Sequence, residues 1–288
     1  MPPSPLQKIA ILGAGRVGQG LALALKQTRH SIVALWNRAE PVSLNESLKA
    51  QLVTDDLATA PFLTKASLVL VTVSDAAIEK VARQLVQNPH LEKSTIVAHT
   101  SGSLPATTLA PLPSKSIGSF HPMASCSTPE RAARVLKSCH FTLEGSPEAC
   151  QRLQEIAISL GASSSKLETS QKARYHAACV MASNLMVALF HQATIEAREA
   201  GLDAPHLPLS QLATNTLQHI KEQGVQNALT GPVRRGDLST IRTHLETLSG
   251  RSSEVYRLLS QGAQELVPNA DRQTRQQIEE LLATNLRP

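Results

Sequence analysis

One stretch near the start of the chain restricts the fold more than any other, namely an apolar strand that runs into three spaced glycines. The strand is expected over residues 8–12, and the glycines that follow it are Gly13, Gly15 and Gly18. From Val17 onward, apolar side chains recur at the spacing of a helix. The segment therefore predicts a strand, a tight turn and a helix in direct succession.

Each glycine of this turn meets a different steric requirement. Gly13 permits the tight turn, Gly15 lets the backbone approach a pyrophosphate, and Gly18 lets the helix pack closely on the sheet. The first turn of the helix adds unpaired N–H groups and a partial positive charge. With a second apolar strand over 31–35, the pattern predicts a dinucleotide site rather than an ordinary glycine turn. The cofactor contacts are assigned to Gly13, Ala14, Gly15, Arg16, Val17 and Gly18.

The residues after the second strand indicate which dinucleotide is bound. An acidic residue at this point binds the ribose 2'-hydroxyl and favours NAD. This chain has Asn37 and Arg38 there, and its first acidic residue after the strand is Glu40. An arginine pairs with a 2'-phosphate, and an asparagine hydrogen-bonds to it without repulsion. NADP is therefore favoured over NAD. Two alternatives stay open, with Glu40 as a ribose ligand or Arg38 as a solvated loop residue.

Composition excludes several classes of protein. The chain has 288 residues, 42% of them hydrophobic, which suits two domains. Its net charge of +5 and its 2% of aromatic residues disfavour a nucleic-acid role. The four cysteines show no CxxC spacing, so neither a metal site nor a disulfide framework is expected. The first residues lack a signal-peptide pattern, and the apolar stretch 177–190 contains Ser183 and Asn184. We therefore expect a cytoplasmic protein without a membrane span.

Strand and helix patterns alternate through the first half of the chain. Further strands are expected over 68–73, 95–98, 116–120, 140–143 and 164–167, and helices over 76–86 and 147–160. This alternation predicts a mostly parallel, doubly wound α/β sheet. From Ser170 onward the pattern is helical throughout. We therefore predict a dinucleotide-binding Rossmann domain over 1–168, followed by an all-α substrate and dimerisation domain over 169–288.

Polar residues follow several of these strands, at the sheet edge where ligands bind. Ser101 and Gly102 can offer a hydroxyl and backbone N–H groups to a nicotinamide or a substrate carboxylate, although turn chemistry alone also explains them. His121 is held extended by the proline after it and can donate a proton or orient a substrate oxygen. A surface loop histidine is the alternative. Asp75 is expected to be the N-cap of the next helix. Further cofactor contacts are assigned to Val73, Ser74 and Thr100.

The first helix of the second half carries Lys172 and His176, which lie four residues apart on one face. At about 100° per residue, Asn184 lies to one side of the same line. Reduction of a carbonyl by hydride requires a proton. A lysine or a histidine can supply it, and a lysine also stabilises the negative charge. Spacing alone favours the plainer alternative of a solvated lysine and a histidine with a core hydrogen bond.

An interhelical loop over 228–237 contains two cations and two glycines. The guanidinium groups of Arg234 and Arg235 suit a substrate carboxylate. A structural turn with solvated arginines is the alternative. Asp237 is expected to be the N-cap of the following helix.

These motifs together resemble a family of Rossmann-like candidate oxidoreductases whose helical half is known only as a domain of unknown function. The likeness extends over nearly the whole chain, and the Leu-Thr-Gly-Pro…Arg-Gly-Asp segment at 229–237 is its most specific mark. The family is similar to a wider group of β-hydroxyacid and 6-phosphogluconate dehydrogenases, ketopantoate reductases and pyrroline-5-carboxylate reductases. That likeness implies a homodimer formed largely through helices of the second domain. The segments that carry it are 13–18, 37–38, 99–102, 118–122, 175–184 and 229–237.

The resemblance also implies roles for individual residues. In the β-hydroxyacid enzymes a catalytic lysine opens the first long helix of the second domain, with an asparagine four residues later. Lys172 matches that lysine, whereas His176 stands at the asparagine position. The segment from His121 resembles the His-Pro-Met segment of prephenate dehydrogenases, but Ser125 replaces the glycine that follows it.

The expected activity is an NADP-dependent hydride transfer to or from a small carboxylated substrate such as a 2-oxo acid. Lys172 would donate the proton or stabilise charge, and His176 would be a partner or alternative acid. His121 would orient the substrate. Imine reduction and prephenate-type oxidation are the enzymatic alternatives, and a non-catalytic NADP-sensing module is the third.

Overall fold

The computed structural model describes residues 6–112, 116–267 and 271–283. Contacts divide the chain into two compact units, with the division between Val180 and Met181. Every strand of the described residues lies in the first unit. The helix over Lys172–Val180 groups with the sheet by contacts, and the functional boundary after residue 168 stays a prediction.

The first unit is built on one eight-stranded sheet. Its strands are β1 (Lys8–Leu12), β2 (Ser31–Trp36), β3 (Leu52–Val53), β4 (Leu68–Val71), β5 (Ile96–His99), β6 (Ile117–Pro122), β7 (His140–Gly145) and β8 (Ser163–Lys166). The spatial order is β3-β2-β1-β4-β5-β6-β7-β8, and all neighbouring strands pair parallel except β6 and β7, so β7 and β8 run opposite to the other six. The order 3-2-1-4-5-6 is that of doubly wound dinucleotide-binding sheets. The predicted α/β fold class is confirmed.

Helices cover both faces of this sheet. They are α1 (Arg16–Leu25), α2 (Asp75–Gln87), α3 (Pro129–Val135) and α4 (Pro147–Ser159), and a fifth helix, α5 (Lys172–Val180), follows the last strand. One buried cluster joins the sheet to α1, α3 and α4, and a second joins it to α2. Successive residues of β1 alternate between the two, with Ile9 in the first cluster and Ala10 in the second. Burial on both faces explains why these strands are continuous apolar runs.

The second unit is helical in its described residues. It contains a π turn (Met181–Leu185), α6 (Met186–Glu199), α7 (His206–Ala228), α8 (Pro232–Arg235), α9 (Leu238–Thr247), α10 (Gly250–Glu265) and α11 (Arg272–Ala283). Its buried core is small and contains Ile241 and Leu245 of α9 with Ile278 and Leu282 of α11. Asp237 is the N-cap of α9, as predicted, and accepts a hydrogen bond from the Thr240 N–H at 3.1 Å.

Two helices of this unit leave nearly all of their apolar side chains at least partly exposed. In α7, all of whose residues are described, Ala228 alone is buried, and α6 has no buried residue.

Among the described residues, one segment, Thr169–Glu199, is long and apolar enough by length and composition to cross a membrane. It contains the stretch 177–190, which the sequence predicts to be too short and polar to span one. Length and composition alone do not distinguish a membrane span from a helix that packs against protein.

Candidate functional site

The turn between β1 and α1 has the conformation that its glycine pattern predicts. Gly13 has a φ of +122°, and a Cβ added there would lie 2.8 Å from the backbone of Thr72. A Cβ added at Gly18 would lie 1.8 Å from the Gly13 carbonyl oxygen. Packing inside the protein therefore requires glycine at both positions. At Gly15 an added Cβ meets no atom within 4 Å, so the space over this residue, at the N-terminus of α1, is open.

Side-chain hydrogen bonds hold this glycine loop in place. The Asn37 Oδ1 accepts from the Ala14 N–H at 3.2 Å, and the Asn37 Nδ2 donates to the Ala39 carbonyl at 2.7 Å. The Thr72 hydroxyl donates to the Gly13 carbonyl at 2.7 Å. Asn37, expected to face a phosphate, therefore ties the loop to the end of β2. The contribution of Thr72 is not apparent from the sequence, because this residue follows β4 and lies 59 residues from Gly13 in the chain.

A cavity of about 510 Å³ lies between the end of β2 and helix α2. Arg38, Val73 and Ser74, all predicted from the sequence to contact the cofactor, line it. Glu40 also lines it, and so stays open as a ribose ligand. Because β1 lies between β2 and β4 in the sheet, the glycine loop and this cavity occupy neighbouring positions along one sheet edge. The residues present therefore fit an adenine dinucleotide with its diphosphate over Gly15.

Strand β6 and helix α5 bring a pair of histidines and a tyrosine together. The His121 Nδ1 lies 2.7 Å from the Tyr175 hydroxyl, and the rings of His121 and His176 meet edge to face with centroids 5.9 Å apart. A Cβ added at Gly102 would lie 2.8 Å from the His121 Nε2 and 2.6 Å from the His176 Cδ2. Burial, reinforced by the neighbouring His176 and Lys172, lowers the pKa of His121 to about 4. The His121 imidazole is therefore neutral at pH 7.

Lys172, on the same helix as Tyr175 and His176, is 2% exposed. Its Nζ donates to the Ser119 hydroxyl at 2.8 Å and to the Ser101 carbonyl at 3.4 Å, and lies 3.8 Å from the Glu144 carboxylate. Burial lowers the pKa of Lys172, and the Glu144 carboxylate opposes that shift. Lys172 is thus not the solvated lysine that its spacing alone favours.

Glu144 is a residue of this network to which no sequence pattern points. It lies in β7, is 4% exposed, and accepts hydrogen bonds from the Ala106 N–H at 2.7 Å and the Thr169 hydroxyl at 2.8 Å. A buried carboxylate with two donors and a lysine beside it is fully paired. Glu144 therefore fixes Lys172 and two backbone segments at once.

The predicted N-cap role of Asp75 is wrong. Ser74 is the N-cap of α2, and Asp75 is the first residue inside the helix. Its Oδ2 accepts hydrogen bonds from the hydroxyls of Ser101 and Ser103, both at 2.8 Å. These donors satisfy the carboxylate, which then orients the loop after β5 instead of capping α2.

The loop after β5 is tightly bonded within itself. The Ser101 hydroxyl, which donates to Asp75, also accepts from the N–H groups of Ser103 and Leu104. Thr100 is half-buried and its N–H donates to the Val71 carbonyl at 3.1 Å. The hydroxyl of Ser101 thus closes a turn, which is the structural alternative to its predicted contact with substrate. Gly102 leaves the space beside His121 and His176 clear of a side chain.

Family comparisons divide the chain in two. Residues 3–122 match the model of a Rossmann-like domain family, and residues 139–263 match that of a domain of unknown function, DUF2520. The chain thus matches the Rossmann-like model in its first part and the DUF2520 model in its second. No curated protein matches the chain by sequence.

Solved structures share the fold over almost the whole chain. Protein TM1727 from Thermotoga maritima is 24% identical with a TM-score of 0.70, covering 90% of this chain and 98% of that one. A candidate NADP oxidoreductase, BF3122 from Bacteroides fragilis, is 25% identical with a TM-score of 0.71 and the same two coverages. A Plasmodium falciparum pyrroline carboxylate reductase with NADP bound is 12% identical with a TM-score of 0.59, covering 97% and 98%.

The DUF2520 match begins before the helical unit, at residue 139 in the last part of the sheet. Glu144 and Lys172 therefore belong to the DUF2520 segment, whereas Ser101 and Ser119 belong to the Rossmann-like segment. The hydrogen bonds of Lys172 to Ser101 and Ser119 join the two matched segments inside one compact unit.

The remaining predicted substrate contacts lie in the second unit. Asn184 is in the π turn and accepts a hydrogen bond from the Ser183 hydroxyl at 3.0 Å. A π turn holds more residues than an α turn, so the angle extrapolated from Lys172 does not apply to Asn184. Arg234 and Arg235 line a cavity of about 380 Å³. The structure therefore brings together His121, His176, Lys172, Ser101 and Gly102 in the first unit.

Proposed function

We propose that the chain is an NADP-dependent oxidoreductase that transfers a hydride between nicotinamide and a small carboxylated substrate. The observation that carries this proposal is the glycine loop, where packing explains Gly13 and Gly18 but leaves Gly15 unexplained. A diphosphate over Gly15 accounts for it, because the N-terminus of α1 offers N–H groups and has no acidic residue in its first turn. The likeness to the candidate NADP oxidoreductase of Bacteroides fragilis supports the same cofactor.

When bound, NADP supplies or accepts the hydride at its nicotinamide ring. The remaining chemistry is the handling of a proton and of negative charge on the substrate, which belongs to the protein's side chains. We assign the adenosine end of the cofactor to the cavity lined by Arg38, Val73 and Ser74. Thr100, at the end of β5, is assigned to the nicotinamide side.

His121 is proposed to orient the substrate oxygen as a neutral imidazole. Burial raises the pKa of Tyr175, so its hydroxyl keeps its proton and can donate it to the His121 Nδ1. The Nε2 then carries a hydrogen and donates it into the space beside Gly102. A neutral histidine that polarises a carbonyl is a known use of a depressed pKa. His176, whose ring meets that of His121, is the candidate proton donor.

Lys172 is proposed to stabilise charge and to anchor the loop after β5. An ammonium group has three N–H donors, and three acceptors surround its Nζ, on Ser119, Ser101 and Glu144. Direct proton donation would require one of these contacts to break. The positive charge acts instead through the loop that carries Ser101 and Gly102, to which the Nζ is hydrogen-bonded.

The helical unit is proposed to bind the substrate carboxylate and to form a homodimer. Arg234 and Arg235 are the candidate carboxylate ligands, with Asn184 as a further polar contact. Helix α7 is kinked at Gly224 and exposes the apolar side chains of Leu207, Leu212 and Leu217, and we assign this surface to the contact with the second copy. Size-exclusion chromatography with light scattering should give a mass of twice 30.9 kDa. A mass of 30.9 kDa would contradict the dimer.

A substrate panel tests the activity. NADPH oxidation should be observed with 2-oxo acids, whereas turnover only with cyclic imines, or only with prephenate and NADP, would support one of the enzymatic alternatives. Tight NADP binding without any turnover would support a sensing module. If calorimetry detects binding of neither NADP nor NAD, the proposal fails.

The depressed pKa of His121 predicts a loss of stability in acid. The folded pKa of about 4 lies below the unfolded value of 6.5, so the unfolded chain binds the proton first. The stabilisation is therefore complete above pH 6.5 and is lost as the pH falls toward 4. Denaturant unfolding should show the loss, and His121→Gln should reduce the slope by up to about 1.4 kcal/mol per pH unit.

The same prediction has a direct spectroscopic readout. The ring resonances of His121 should titrate near pH 4 in an NMR experiment. His99 and His30 also have pKa values lowered by burial, so only the difference between wild type and His121→Gln isolates this residue. Titration of His121 near 6.5 would contradict a neutral, buried imidazole.

A further inference from the structure

One face of α2 lines the cavity that is assigned to the adenosine end of the cofactor. The residues of that face are Ala77, Lys80, Val81 and Gln84. Their spacing of three, four and seven residues is that of a single helical stripe. Lys80 is exposed, so it presents its ammonium group to the cavity without a burial cost. No sequence motif points to Lys80, because the residues of β4 and α2 show only the pattern of a strand followed by a helix.

The opposite wall of the cavity is the segment after β2. It contributes the guanidinium of Arg38, the carboxylate of Glu40 and the apolar side chain of Val42, which is fully exposed. Arg38 and Glu40 together carry no net charge. Lys80 is therefore the residue whose charge makes this cavity attractive to an anion.

We infer that Lys80 and Arg38 hold the 2'-phosphate of NADP between them, so that Lys80 is a second determinant of cofactor choice. The inference rests on the proposed function, because it presumes a dinucleotide with its diphosphate over Gly15. From there the adenosine extends toward the end of β2, where this cavity lies. Val81 and Val42 provide apolar contacts for the adenine ring. A phosphate with close to two negative charges matches two cations better than one.

The test is the binding of NADPH and NADH by Lys80→Met, which removes the charge but keeps an apolar stem of similar length. Calorimetry should show NADPH binding about tenfold weaker and NADH binding within about twofold of wild type. Adenosine 2'-monophosphate should weaken like NADPH, and adenosine 5'-monophosphate should not. Raising the salt concentration should weaken NADPH binding less in the variant than in wild type.

Arg83→Met is the matched control. Arg83 lies on the same helix, is exposed and pairs with Glu79, and does not line the cavity. It should leave the preference for NADPH over NADH unchanged. An equal shift in Arg83→Met and Lys80→Met would overturn the inference, since net charge rather than a local contact would then explain the effect.

The outcomes also separate this inference from the proposed function. If wild type binds both nucleotides and Lys80→Met leaves their ratio unchanged, the role of Lys80 is refuted and the oxidoreductase proposal stands. Equal weakening of NADPH and NADH by Lys80→Met also refutes it, because the 2'-phosphate would not be the group contacted. If wild type binds neither nucleotide, both proposals fail together.

Discussion

Gly15→Ala should fold like the wild type and bind NADPH about a hundredfold more weakly, or worse. An added Cβ at Gly15 meets no protein atom within 4 Å, and its φ of −78° is open to any residue. The methyl group would instead occupy the space through which the backbone approaches the diphosphate. Loss of two charge-assisted hydrogen bonds at about 1.5 kcal/mol each corresponds to about a hundredfold in affinity. Calorimetry with NADPH, next to thermal unfolding of both proteins, measures the two effects separately.

Two other glycines provide controls for this experiment. Gly262 in α10 also has no atom within 4 Å of an added Cβ. Gly262→Ala should leave NADPH binding unchanged and stabilise its helix by up to about 1 kcal/mol. Gly18→Ala should instead destabilise the fold, because the added Cβ would lie 1.8 Å from the Gly13 carbonyl oxygen. Wild-type NADPH affinity in Gly15→Ala would remove the observation on which the proposed function depends.

The sequence predicts most of the sheet because buried parallel strands are long apolar runs. The first two strands and the helix between them follow directly from the run before Gly13 and the spacing after it. β3 was missed, since a strand of two residues, Leu52 and Val53, has no periodicity to detect. The strand predicted over 68–73 is longer than β4, which ends at Val71, because apolar composition does not show where strand pairing ends.

Residues of the site can be predicted from the sequence where a local rule applies. They cannot be predicted where the role depends on a contact with a residue that is distant in the chain. His121 was found because it ends a strand and precedes a proline. A local capping preference predicts Asp75 to be an N-cap, but its carboxylate accepts a hydrogen bond from the Ser101 hydroxyl, 26 residues away in the chain. Glu144 follows an apolar strand pattern, and nothing near it in the chain indicates that Lys172 will lie beside it.

Lys172→Met should lower the free energy of unfolding by about 3–5 kcal/mol, because it leaves the Glu144 carboxylate buried without its cation. The two side chains are 3% and 5% exposed, so solvent screens the pair little. Adding Glu144→Gln to Lys172→Met removes the unpaired charge, so the double variant should regain part of the lost free energy of unfolding. Denaturant unfolding of wild type, both single variants and the double variant gives the coupling energy. Lys166→Met, on the exposed strand β8, should change stability by no more than about 0.5 kcal/mol.

The double variant also distinguishes a catalytic charge from a structural one. If Lys172 only supports the loop after β5, the restored stability of Lys172→Met/Glu144→Gln should restore much of the turnover with it. If its charge stabilises the reacting substrate, turnover should stay at least about a hundredfold below wild type, while NADPH affinity is kept. We expect the second result, because the ammonium donates hydrogen bonds to the Ser101 carbonyl and the Ser119 hydroxyl, and no other cation is bonded to either residue in the described part of the chain. Turnover that returns together with stability would assign Lys172 to the fold alone and leave His121 and His176 as the candidates for the chemistry.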